Sequence, residues 1–150
     1  MLNTYHEVAA FIRDFEACCL PKSRWTHQAH LTAGFWYLQN HAPGDALDMI
    51  RERIWRHNES VGTANTDTDG YHETITRLYM TAIAAHVAQH RHLTFDESLA
   101  ALLASPPGDS AWPLEHYSRE RLFSLAARRG WIEPDLQPID ESVMRDQAPR

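Results

Sequence analysis

The sequence predicts an all-α fold: a single-domain, mostly antiparallel bundle of about five to six helices with an extended C-terminal tail. Apolar residues recur at helical spacing in segment after segment. No stretch alternates in the way a half-buried strand does. The segments are joined by short polar or Pro/Gly-rich connections, which favour antiparallel neighbours. The helical domain is expected to span residues 1–139, with residues 140–150 as a frayed tail.

Val8, Phe11, Ile12, Phe15, Cys18 and Cys19 mark a first helix over residues 3–19, ended by Leu20-Pro21. The two cysteines fall on its apolar stripe, where small thiols are usually buried. Thr26 is an N-cap for a second helix over 27–40, with Leu31, Gly34, Phe35 and Leu38 on one face. His41-Ala42-Pro43-Gly44 is a turn. A third helix then runs from about Asp45 to Val61, with Leu47, Ile50, Ile54, Asn58 and Val61 as its inner stripe and Gly62 as its stop.

Residues 63–70 are small and polar and read as a surface loop. Ile75, Leu78, Tyr79, Ala82, Ile83 and Val87 define a fourth helix over 71–91. Thr94 and Glu97 form a capping-box pattern for a shorter helix ending near Ala104, broken by Ser105-Pro106-Pro107-Gly108. Ser118 caps a sixth helix, 119–129, closed by Gly130. Beyond Trp131, Pro134 and Pro138 forbid regular helix, so this tail is expected to pack as an extended strap and fray after Ile139.

A chain of 150 residues can bury roughly 70% of its unfolded surface. Net charge is −6, and no basic face stands out to neutralise phosphates, which argues against a nucleic-acid role. Arg119, Arg121, Arg128 and Arg129 cluster, but Glu120 and the acidic tail dilute them, so they read as a solvated face. No apolar run approaches the roughly 20 residues of a membrane span, and the N-terminus lacks a signal-peptide pattern. Two adjacent cysteines make a poor disulfide framework, which points to a reduced, cytoplasmic setting.

The composition is unusual in its ten histidines. Up-down-up topology would bring the N-termini of the second and fourth helices to one end, beside the C-terminus of the third. That gathers His27, His30, Asn58, Tyr71, His72 and Glu73; continued alternation would add Cys18, Cys19 and His116. His27 and His30 are three apart and share a helix face. With His72 they supply three imidazoles, a zinc-type set with an open position for water. Zinc is therefore the expected divalent metal, and iron, nickel and manganese also suit imidazole donors. First-turn placement disfavours imidazolium and keeps the ligating neutral form. The same dipoles favour an anionic substrate.

Glu73 follows a candidate ligand and could take a proton from metal-bound water as a catalytic base. Position 76 is Thr76, so this is not the His-Glu-x-x-His motif. With Gly70 as N-cap, Glu73 would instead close a capping box. Trp25 and Tyr71 read as pocket walls, and Asn58 as a group that pins the loop. His86 and His90 share a face but lie about 21–27 Å along the helix from His72, so they read as a polar helix end. His6, His41 and His57 are expected on the surface.

Trp25-Thr26-His27-Gln28-Ala29-His30-Leu31, the Asn58-to-Gly62 segment and Gly70-Tyr71-His72-Glu73-Thr74 together resemble the blocks of a family of uncharacterised small bacterial proteins. Ser118-Arg119-Glu120-Arg121-Leu122 and the segment from Trp131 to Asp135 extend the resemblance over most of the chain. It implies no settled activity. It does imply that the two histidine blocks act as one unit, and His116 lies in none of the blocks.

The functional expectation is a divalent-metal-dependent hydrolase or lyase acting on a small polar molecule, with ligands His27, His30 and His72. Two alternatives belong to other classes. One is a non-catalytic metal-binding module; the other is a metal-free domain whose histidines hydrogen-bond within a small-molecule pocket. The sequence leaves homo-oligomerisation open.

Overall fold

The computed structural model describes residues 2–139 and, among them, contains helices and no strands. The fraying expected for 140–150 lies outside the described residues. Five principal helices are α1 (Tyr5–Glu16), α2 (His27–Asn40), α3 (Pro43–Ser60), α4 (Glu73–Gln89) and α5 (Phe95–Leu103). Three short ones follow: α6 (Pro113–His116), α7 (Arg119–Leu122) and α8 (Leu125–Arg129).

Side-chain capping sets most helix starts. Thr4 with Glu7 and Thr94 with Glu97 close capping boxes on α1 and α5, and Thr26 Oγ1 accepts from the Ala29 amide to start α2. The third helix starts two residues before Asp45, because Pro43 occupies its first position. Gly62, at φ +79°, ends it: the Gly62 and Thr63 amides donate to Glu59 and Asn58 carbonyls.

The first helix is shorter than expected and ends at Glu16. Cys18 adopts φ +57°, and the Cys18 and Cys19 amides donate back to Phe15 and Asp14. This is the glycine-type helix stop with cysteine in the left-handed position. The two thiols therefore leave the apolar stripe, Cys18 half-buried and Cys19 exposed. A left-handed non-glycine residue carries a steric cost of about 1–2 kcal/mol. Cys18→Gly should raise stability by about 0.5–1 kcal/mol after the entropy that glycine adds to the unfolded chain. A higher urea midpoint at unchanged slope checks this; a lower midpoint refutes it.

Helix α4 is the centre of the fold. On one side it packs on α2 and α3, and the core there contains Phe11, Phe15, Leu31, Phe35, Ile50 and Ile83. Gly34 permits close approach: a Cβ there would stand 2.9 Å from Met80 Sδ and 3.0 Å from Ile83 Cδ1. His27 lies beside Tyr79, and Gly34 beside Ile83, so α2 and α4 run in the same direction. Leu47 shares a cleft with Arg77 and Met80, and Arg51 reaches Glu73, so α3 runs against α4.

On its other side α4 meets a second core of Leu78, Tyr117, Leu122 and Ile139. The segment after Trp131 is pinned as a strap. Tyr117 Oη donates to the Ile132 carbonyl at 2.7 Å, Ser118 Oγ to Asp135 at 2.7 Å, and the Leu136 amide to the His116 carbonyl at 3.0 Å. The single sixth helix expected over 119–129 is broken at Phe123-Ser124, because Ser124 Oγ caps a new start at Ala127 N. The arginines here do not form a purely solvated face. Arg128 donates to the Gly70 and Tyr71 carbonyls, Arg129 pairs with Asp67 at 2.7 Å, and Arg121 Nε donates to the Glu133 carbonyl.

Candidate functional site

Two adjoining cavities lie where the starts of α2 and α4 meet the end of α3. The inner one, of about 170 Å³, runs between α2, α3, α4 and the segment carrying α6 and α7. Leu31, Ile50, Ile54, Ile83 and Leu114 make much of its wall, with His27, Tyr79 and Ser110 as polar interruptions. The outer one, of about 410 Å³, is bordered by Lys22, Trp25, Asn58, Tyr71 and His72. His30, Ile54, Ile75 and Thr76 line both, so these four residues form a neck between two chambers.

The sequence-predicted residues distribute unevenly around this space. His27 and His30 line the inner chamber, while Trp25, His30, Asn58, Tyr71 and His72 line the outer one. Glu73 lines neither.

His30 is an exposed residue whose ring borders both cavities. The Trp25 ring packs against it with centroids 4.0 Å apart. Desolvation first, then the neighbouring His27 and His57 rings, push its pKa down to about 3. It is therefore a neutral imidazole at physiological pH, with one N–H and one lone pair. Among the described residues neither nitrogen bonds to a protein group, so both are left to whatever fills the neck. His27 is anchored at one end: its Nε2–H donates to the Pro107 carbonyl at 3.0 Å.

His72 is positioned differently. It is the N-cap of α4, a role expected for Gly70, and its Nδ1 accepts the Ile75 amide at 3.1 Å. The proton must then sit on Nε2, which donates to the buried Leu122 carbonyl at 2.6 Å. Burial lowers its pKa, only partly offset by the Leu122 bond. Both ring nitrogens, one as acceptor and one as donor, are thus committed to structure.

Glu73 stands at the first position of α4, not the third, so the expected capping box with Gly70 does not form. Arg51 clamps the carboxylate through Nε at 2.9 Å and Nη2 at 2.6 Å, and Tyr71 Oη donates to it at 2.6 Å. Burial works against its charge, but the Arg51 and Tyr71 hydrogen bonds outweigh it and hold the carboxyl below its usual range. A carboxylate so engaged is a weak proton acceptor. Burial and the Glu73 bond together push the Tyr71 phenol up.

Among the described residues, no group of three or more His, Cys, Asp or Glu side chains is arranged to hold a metal ion. The three-imidazole set does not fit a metal in this arrangement, because His72 has no nitrogen to give. His116 does not supply a replacement: it is buried against the strap, bonded through Nδ1 to the Gln137 carbonyl. At the far end of α4, His86 and His90 stack with centroids 3.9 Å apart, and each bonds to a backbone carbonyl. Near-parallel rings hold their lone pairs in near-parallel planes rather than turned toward a common point, which does not favour a chelate.

Some important residues escaped the sequence reading. His57 is fully buried, not on the surface, between Phe15 at 5.6 Å and Trp25 at 5.1 Å, with no hydrogen-bond partner for either nitrogen. Its position continues the Ile50–Ile54 stripe by three residues, a signal that was present in the helical period. Asn65 organises the loop before α4: it accepts from Asn58 Nδ2 and the Tyr71 amide and donates to the Trp55 carbonyl. Asn58 thus pins the loop through Asn65. Lys22, Thr76, Tyr79 and Ser110 join the cavity walls only through tertiary placement.

Comparison of the chain with known protein families, with curated proteins and with solved structures finds no match. No helix among the described residues is long and apolar enough to cross a membrane.

Proposed function

We propose that the protein is a metal-free helical module that binds a small molecule across the neck between the two chambers. The observation that carries this reading is His30: a neutral imidazole open to both chambers, with neither ring nitrogen engaged by the protein. A polar group held in a largely apolar wall without a partner is costly unless water or a ligand completes it. The inner space is comparable with engineered apolar cavities of about 150 Å³ that take up benzene, so a ligand with a ring-sized apolar part suits it. His27 and Thr76 supply further polar contacts near the ring's edge.

A divalent-metal-dependent hydrolase or lyase is the second reading. In its favour, His27 and His30 line the same inner chamber. It would need donors from water or substrate in place of His72.

Ligand-observed NMR with benzene, phenol and 2-phenylethanol tests the first reading. Binding is expected in the wild-type protein and is expected to be lost in Leu114→Trp, which fills the inner chamber. Absence of binding by all three probes would overturn it. Mass spectrometry after incubation with zinc, iron, nickel and manganese tests the second. About one equivalent of metal, lost in His27→Ala, would replace the first reading with the metal-dependent one.

A further inference from the structure

Resting on the pocket reading above, we infer the chemical class of the ligand: a small aromatic carboxylate, with its ring in the inner chamber and its carboxylate in the outer. The charge distribution of the two walls carries this inference. Among the described residues, no aspartate or glutamate lines either chamber. The one formally charged residue among those described that does line them is Lys22, at the outer chamber. Lys22 is exposed and pairs with no carboxylate among the described residues.

Two carboxylates of the neighbouring helices α1 and α4 are already paired. Glu73, which sits behind Tyr71, is held by Arg51, and Asp14 pairs with Arg24 at 3.6 Å. In a protein of net charge −6, a chamber free of acidic side chains and bearing one unpaired cation is a local exception. The start of α4 borders the same chamber through His72 and Ile75, adding positive potential there. One ammonium with no guanidinium in the wall balances a monoanion better than a phosphate dianion.

The shape of the space places the two parts of the ligand. The inner chamber is narrow and mainly aliphatic, which suits a single ring. The neck holds neutral His30, which resists becoming a cation, so the anion has no competing positive site deeper in. The carboxylate therefore stays outside the neck while the ring passes it.

Three near-isosteric probes separate charge from shape: phenylacetate, 2-phenylethanol and 2-phenylethylamine, titrated by calorimetry or NMR. Phenylacetate should bind at least about 5-fold more tightly than the alcohol and more than about 20-fold more tightly than the amine, with the gap narrowing in high salt. Lys22→Gln, at an exposed position that threatens no packing, should bring phenylacetate down to the affinity of the alcohol and leave the alcohol unchanged. Equal binding of acid and alcohol, or an acid preference that survives Lys22→Gln, would overturn this inference while leaving the pocket reading intact. Failure of all three probes to bind would overturn both.

Discussion

His72→Ala is expected to destabilise the protein by about 2–4 kcal/mol, read as a fall in melting temperature of roughly 5–15 °C. Two losses combine. The Ile75 amide at the start of α4 loses its cap, which costs about 0.5–2 kcal/mol. The buried Leu122 carbonyl loses its donor, which costs about 1–3 kcal/mol more. His72→Asn separates the terms, because asparagine caps helices well but is too short to span to Leu122. It should recover the capping part and leave a deficit of about 1–3 kcal/mol. Calorimetric melts of the three proteins decide this, and an alanine variant that melts with the wild type would refute it. Metal content measured on the same samples gives an independent reading. A metal-ligand role requires both variants to lose an equivalent of metal, whereas the capping role predicts no difference.

The same residue shows what was legible in the sequence. The periodicity of Ile75, Leu78, Ala82 and Ile83 defines α4, and Thr26 marks the start of α2 to the residue, because these signals are local. The meeting of His30, Asn58, Tyr71 and His72 around one chamber follows from up-down-up topology and short connections. The direction in which each side chain spends its hydrogen bonds does not follow. Whether His72 faces an ion or caps its own helix depends on where Leu122, fifty residues later, delivers a carbonyl. Whether Glu73 is a base or an ion-pair partner depends on Arg51, a residue whose place on α3 offers no hint of it. His57 is hard to place from sequence for a different reason. Imidazole is scored as polar, so a ring that packs as an aromatic between Phe15 and Trp25 looks like a surface residue.

Acid should destabilise this protein well before its carboxylates titrate. His57 and His72 are buried, and burial lowers the pKa of both in the folded state. In the unfolded chain each titrates near 6.5. The unfolded state therefore binds more protons below that value, so the stability held by neutral burial is complete above about pH 6.5 and is lost as pH falls toward the folded-state pKa values. Stability should therefore fall as pH drops below about 6.5, with each ring contributing at most about 1.4 kcal/mol per pH unit. His30 shifts in the same direction, but its open cavity surface admits solvent that screens the charge, so it adds less. Aspartate and glutamate titrate mainly below pH 5 and leave this window to the histidines. Urea titrations at half-unit intervals from pH 8 to 5 would measure the slope. His57→Phe keeps the packing with Phe15 and Trp25, removes two unpartnered nitrogens, and should be neutral to stabilising at pH 8. In that variant the acid slope should fall, by at most one proton. A wild-type midpoint that is flat from pH 8 to 5, or a slope unchanged by the substitution, would mean that His57 reaches water or a partner before it charges.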